Sequence, residues 1–193
     1  MQLCLLGGTF DPPHWGHLLL AEYIRSEHDI NKIVFIPAYI PPHKQESEIS
    51  ATEHRLEMIE LVCKTNSHFA VDVREIRRKG VSYTIDTVQS IKKDHNLLSH
   101  DIGLLIGADN FRDLSNWRAA EDLVRECQVL VVARPDYPVT ANQPFYSQVR
   151  VIETPLIGLS SSQIRNRVRE GKSITYFVLP WVESYIRDNN LYR

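Results

Sequence analysis

The sequence predicts an α/β fold, a doubly wound and mostly parallel sheet flanked by helices. Three observations lead there. Short aliphatic or β-branched runs alternate along the chain with longer amphipathic stretches, the order that a helix-covered parallel sheet requires. The 193 residues, 43% of them hydrophobic, can bury one substantial core, so a single domain over residues 1–193 is expected. Neither an internal repeat nor a low-complexity tract interrupts the pattern.

The expected strands are residues 3–6, 32–36, 69–73, 103–106, 129–133 and 149–152. The first helix, 17–27, carries Leu20, Ala21 and Ile24 on one face. The second, 53–64, follows Ser50, whose spacing to Glu53 is that of a capping box. Helices 85–93 and 119–125 come next, and 180–187 ends the series. Helix 161–170 is the best delimited, because Ser160 and Gln163 form a second capping-box spacing and Gly171 can end it in the left-handed conformation. Residues 38–51, with their prolines and mixed charges, read as a long loop, and 135–144 as a connecting one. The charge run Arg74, Arg77, Arg78, Lys79 reads as a solvated turn.

Composition narrows the function. Lys+Arg of 22 against Asp+Glu of 24 gives a net charge of −2, which supplies no overall field for nucleic acid and points to a small-molecule partner. Cys4, Cys63 and Cys127 are far apart and lack any C-x-x-C spacing, so neither a disulfide framework nor a structural zinc site is expected and each reads as a small buried apolar residue. Met1 leads into a short apolar run without a basic region, so no secretion signal is expected. No run of about 18 apolar residues occurs, which leaves no membrane span and makes the cytoplasm the expected location. Homo-oligomerisation is compatible with the sequence.

The segment 7–17, GGTFDPPHWGH, runs from the first strand into the first helix, at the carboxyl end of the sheet where ligands bind. Gly7 and Gly8 let backbone N–H groups approach an anion, and the helix N-terminus adds a favourable partial charge. Neither G-x-G-x-x-G nor G-K-[ST] is present, so this is not a dinucleotide fingerprint or a Walker loop. His14 and His17 are three residues apart and can lie on one side of the first helical turn, both donating to phosphate oxygens. Either histidine alone reads as a turn cap or a solvated helix residue. Their union with Gly-Gly, Thr9 and Asp11-Pro12 favours phosphate binding.

A second anion site is suggested by 159–165, LSSSQIR, where the N–H groups near Ser161 and Ser162 leave a helix N-terminus and Arg165 follows one turn on.

These residues resemble the HxGH nucleotidylyltransferases, which share a Rossmann-like fold. The longer form, with GGTFDP ahead of the histidines, is similar to the bacterial nicotinate-nucleotide adenylyltransferases. The resemblance implies that Gly7, Gly8, Thr9, Phe10, His14 and His17 bind ATP at its α- and β-phosphates. It implies that Ser160, Ser161 and Arg165 bind the β- and γ-phosphates, with Leu159 and Ser162 standing where the family has Ile and Thr. Gly107 and Asp109 are carried over at the ATP site, Asp109 also near the acceptor. Further matches imply an acceptor mononucleotide bound by Lys44 of PPHK, Thr84 of GVSYTIDT, Trp117 with Arg118, and Arg134 of ARP. The implied reaction transfers AMP from ATP to nicotinate mononucleotide, with His14, His17 and Arg165 as the catalytic groups. Mg²⁺ is expected to ride on the ATP phosphates, so no side chain is expected to ligate it. A pantetheine-phosphate adenylyltransferase and a non-catalytic nucleotide sensor remain as rivals at this point.

Overall fold

Successive residues of the strands feed two separate cores, as a sheet buried on both faces requires. A computed structural model describes residues 1–40, 49–133, 137–155 and 158–193. Six parallel strands stand in the order β3-β2-β1-β4-β5-β6: β1 (Leu3–Gly8), β2 (Lys32–Pro37), β3 (Phe69–Val71), β4 (Ile102–Gly107), β5 (Gln128–Val132) and β6 (Val149–Ile152). The helices are α1 (Trp15–Glu27), α2 (Thr52–Cys63), α3 (Arg74–Arg78), α4 (Thr84–His95), α5 (Ala108–Arg112), α6 (Ala120–Glu126), α7 (Ser161–Arg169) and α8 (Pro180–Asp188).

Cys4 and Leu6 of β1 join Ile33 and Phe35 of β2 beneath α1, α2, α7 and α8. Leu5, Val34, Leu104 and Ile106 join the opposite core with α4, α5 and α6. The doubly wound expectation therefore holds. The three thiols behave as apolar filling: burial pushes Cys4, Cys63 and Cys127 up to about 12. No helix among the described residues is long and apolar enough to cross a membrane.

Several local expectations are corrected. Strand three stops at Val71 because Asp72 turns the chain, its Oδ1 accepting the Arg74 N–H at 2.8 Å and opening α3. The charge run is therefore a short helix. Arg77, Arg78 and Lys79 are exposed, while Arg74 is held by Asp72, Ser90 and Asp94. Helix α5 follows β4 with no loop and was absent from the sequence pattern. Ser160 and Gln163 do form their reciprocal cap, at 3.2 and 2.9 Å, and Gly171 adopts a φ of 65°.

The Ser50 capping box does not form. Ala51 occupies the cap position of α2, without a side-chain cap bond. Ser50 is used otherwise: its N–H donates to Asp11 Oδ2 at 3.1 Å and its carbonyl accepts from Arg55 Nε at 3.1 Å. Arg55 is the key to this corner. It sits on the apolar stripe of α2 with Met58, Ile59 and Val62 and is 0% exposed. Its guanidinium also donates to the carbonyls of Thr9, Ala38 and Tyr39 and to Thr52 Oγ1, at 2.8 to 3.2 Å. Burial lowers the affinity of this group for its proton, and the Asp11 carboxylate beside it opposes that effect. One side chain thus joins the segments leaving β1 and β2.

Replacing Arg55 by methionine keeps the apolar stem and strands four backbone carbonyls. Arg55→Met is expected to cost about 3 kcal/mol or more, since buried acceptors lose charged donors. For a chain of this size that is a fall of roughly 6–12 °C in the thermal midpoint, and differential scanning calorimetry giving an unchanged midpoint would refute it.

Candidate active site

In an open parallel sheet, neighbouring strands whose connections leave in opposite directions open a crevice at their carboxyl ends. Here that switch lies between β1 and β4, so Gly7 and Gly8 end one strand and Gly107 the other. A cleft of about 850 Å³ opens there, within the range of small-ligand sites.

One wall is the loop from β1 into α1. The His14 and His17 rings stack with centroids 3.7 Å apart. The backbone N–H of His14 donates to His17 Nδ1 at 3.2 Å. With Nδ1 acting as acceptor, the neutral His17 ring carries its proton on Nε2. A Cβ on Gly16 would stand 3.0 Å from Cε1 and Nδ1 of His14, so a side chain there would crowd the His14 ring, while Leu159 Cβ at 3.6 Å is at ordinary contact distance.

The facing wall is the start of α7. Ser161 Oγ donates to the Pro12 carbonyl at 2.8 Å, and Arg165 Nη1 donates to the Asp11 carbonyl at 2.8 Å. Arg165 Nη2 reaches Ser162 Oγ at 3.2 Å. Two helix N-termini far apart in sequence therefore meet across one cleft, each bringing a partial positive charge to the same space.

The third wall is the start of α4 with the segment after α5. Thr84, Trp117 and Arg118 line it. Tyr83 holds the cap position of α4, and Thr84 is the first residue of the helix. The Arg118 guanidinium lies 4.7 Å over the Tyr83 ring and 3.5 Å from Asp86. Glu75 and Thr87, both largely buried, also line the cleft: Glu75 accepts from Thr87 Oγ1 at 2.7 Å, and the exposed Arg78 donates to the same hydroxyl at 3.1 Å.

Gly7, Gly8, Thr9, His14, His17, Gly107, Ser160, Ser161, Arg165, Thr84, Trp117 and Arg118 thus share one cleft. Phe10 does not line it. Its ring is 2% exposed and packs edge-on against His17 and Phe35, at 5.2 and 5.6 Å, so it supports a cleft histidine from the core side. Asp109 stands in the first turn of α5 with Oδ1 buried, between the lining residues Gly107 and Asn110 and not itself among them. Lys44 and Arg134 lie outside the described residues. Sequence reasoning missed Arg55, Glu75 and Tyr192, and noticed Asp11 only as a loop residue. For Arg55 a signal existed, a charge at the i−3 and i−4 spacing of an apolar stripe. The others have no local signature.

Fold and site together define an α/β protein with a cleft at its switch point whose two helix N-termini suit an anionic ligand. The cytidylyltransferase-like family model matches residues 5–167. A probable nicotinate-nucleotide adenylyltransferase of Bacillus cereus (strain G9842) is 40% identical over 192 residues, covering 99% of this chain and 98% of its own. Another, of Exiguobacterium sibiricum, is 39% identical over 192 residues and covers 100% and 99%. Among solved structures, Plasmodium falciparum nicotinic acid mononucleotide adenylyltransferase complexed with NaAD superposes with a TM-score of 0.80 at 20% identity, over 99% of this chain and 97% of that one. The chain belongs to the cytidylyltransferase-like family and, within it, to the nicotinate-nucleotide adenylyltransferases.

Glu75 makes the third wall sensitive to pH. Burial holds its carboxyl above the ordinary 4.5, with hydrogen bonds from Thr87 and Ser82 opposing. A carboxyl raised on folding contributes stability that is complete below its unfolded value and is lost as pH climbs through the raised one. Glu75→Gln removes that loss. Urea unfolding between about pH 4 and 7 should show a smaller decline of stability with pH in the variant, and parallel curves for the two proteins would contradict the assignment.

Proposed function

We propose that this protein transfers AMP from ATP to nicotinate mononucleotide, giving deamido-NAD and pyrophosphate in NAD biosynthesis. The observation that carries the reading is the meeting of the α1 and α7 N-termini across one cleft, tied by the Ser161 and Arg165 bonds to the loop after β1. The names of the relatives supply the acceptor.

The chemistry follows from the groups present. An acceptor phosphate is ionised at neutral pH, so its oxygen attacks the α-phosphorus without a general base. The new P–O bond forms as the bond from the α-phosphorus to the bridging oxygen breaks, and pyrophosphate leaves with that electron pair. What remains for the protein is alignment and stabilisation of charge. In this reading the His17 Nε2–H and the His14 ring donate to the α-phosphate, with Gly7, Gly8 and Thr9 beside them. Ser160, Ser161 and Arg165 hold the departing pyrophosphate, where the guanidinium offers fixed paired donors. Thr84 and Trp117 receive the pyridine nucleotide, the indole as a stacking face, with Arg118 and Asp109 at its edge. Lys44 is proposed to steer the acceptor phosphate, and Arg134 to contribute to binding the pyridine nucleotide.

Mg²⁺ belongs to the proposal as an ion carried on the ATP phosphates. The described lining near the two helix starts offers imidazoles, hydroxyls and one guanidinium, a donor set that suits phosphate oxygens and leaves the ion to phosphate and water. When bound, it supplies further neutralisation of pyrophosphate charge.

The deciding experiment gives the purified protein Mg²⁺-ATP with nicotinate mononucleotide, nicotinamide mononucleotide or phosphopantetheine and follows pyrophosphate. Release is expected with the first in clear excess over the third, and release with phosphopantetheine alone, or with none, would overturn the reading. His17→Ala is expected to lower turnover by about two orders of magnitude while the thermal midpoint stays close to that of the parent, by the loss of one preorganised donor. Near-normal turnover in that variant would remove His17 from the chemistry.

A further inference from the structure

Phe10 adopts a φ of 51°, a left-handed conformation that a bulky residue holds only when its surroundings impose it. The residue that follows is the point where those surroundings converge. Asp11 is 1% exposed. Its Oδ2 accepts the Ser50 N–H at 3.1 Å, its carbonyl accepts from Arg165 at 2.8 Å, and its Oδ1 accepts from the hydroxyl of Tyr192 at 2.7 Å. Tyr192 lies beyond α8, 181 residues away in sequence, and its hydroxyl also rests 4.0 Å from Met58 Sδ.

We infer that Tyr192 is a positioning residue for the phosphate-binding loop: its hydroxyl, through Asp11, fixes the segment between Thr9 and His14 in the conformation that presents the histidines and meets Arg165. The inference rests on the proposed ATP site and deepens it. A buried carboxylate needs its lone pairs satisfied. Here one oxygen is satisfied by α2's approach segment and the other by the tail that follows α8, so the loop is clamped from two elements that touch no substrate. Burial and the adjacent carboxylate both push the Tyr192 hydroxyl up, so it remains a donor throughout the working range. Loss of that donor leaves Asp11 Oδ1 buried and unsatisfied, and the loop relaxes to reach water.

The test compares Tyr192→Phe with Tyr185→Phe in the full chain. Tyr185 on α8 lies 3.0 Å from His54 Nδ1 of α2, so its hydroxyl links helices without reaching the loop. Amide hydrogen exchange, read without any ligand, should speed up across residues 9–17 in Tyr192→Phe and stay at parental rates there in Tyr185→Phe. With Mg²⁺-ATP and nicotinate mononucleotide, Tyr192→Phe should lower kcat/KM for ATP about tenfold and leave the acceptor KM unchanged, the loss expected for one hydrogen bond to a charged group. Deletion of Tyr192 and Arg193 should act in the same direction. Parental exchange across residues 9–17 in Tyr192→Phe would overturn the inference, as would equal effects of the two tyrosine variants on ATP and acceptor kinetics. An inactive parent protein whose loop nonetheless loosens in Tyr192→Phe would instead condemn the proposed reaction and keep the clamp.

Discussion

Ser161 Oγ and Arg165 Nη1 each donate to a backbone carbonyl of the loop after β1, at 2.8 Å, and these bonds set the distance between the two halves of the site. Side chains of α7 thereby read the backbone of residues 11 and 12 rather than their side chains. The two halves of the site are thus joined by bonds within the chain itself. Donors held in place by the fold need not reorganise when charge develops, and this is the condition under which hydrogen bonds stabilise a transition state most effectively. A site assembled by the ligand itself would have to spend binding free energy on ordering two helices.

The sheet explains why so distant a pair can meet. With the order β3-β2-β1-β4-β5-β6, the connection after β1 leaves toward β2 and the later chain returns on the other side of β1. The loop into α1 and the start of α7 then border the same crevice. Arg55 and Tyr192 secure the loop from below, one by donating to carbonyls beyond β1 and β2, the other through the Asp11 carboxylate. A buried guanidinium and a buried carboxylate are costly alone. Here each neutralises the other's surroundings, while the five Arg55 bonds go to the segments after β1 and β2 and to the approach to α2.

What was legible in the sequence was whatever depends on neighbours a few residues apart. The apolar runs of β1, β2, β4 and β5, the Ser160–Gln163 cap and the His14–His17 pair are local patterns, and the structure reproduces them. Helices α3 and α5, five residues each, are too short to show periodicity. Ser50 had a valid capping spacing that tertiary bonding overrode, because Asp11 and Arg55 claim its backbone. The Asp11–Tyr192 bond spans almost the whole chain, and no window along the sequence contains both partners. Phe10 lies within the most informative motif of the chain, yet motif membership does not distinguish a residue that faces the cleft from one that props up a neighbour.

The charge economy of the cleft follows from the same arrangement. A chain of net charge −2 is proposed to bind two anionic substrates, and among the described lining residues only Arg118 and Arg165 carry permanent positive charge. Arg118 is already drawn to Asp86 and the Tyr83 ring. Beside these two arginines, the described lining attracts anions through oriented neutral groups, imidazole N–H, serine hydroxyls and two helix N-termini, whose field is short-ranged and directional. Such groups discriminate by position more than by total charge, which suits a reaction in which a crowded phosphorus must be favoured over the phosphates on either side of it. They also hold a departing anion less tightly than a cluster of lysines would, so the arrangement that aligns the triphosphate is compatible with letting pyrophosphate go.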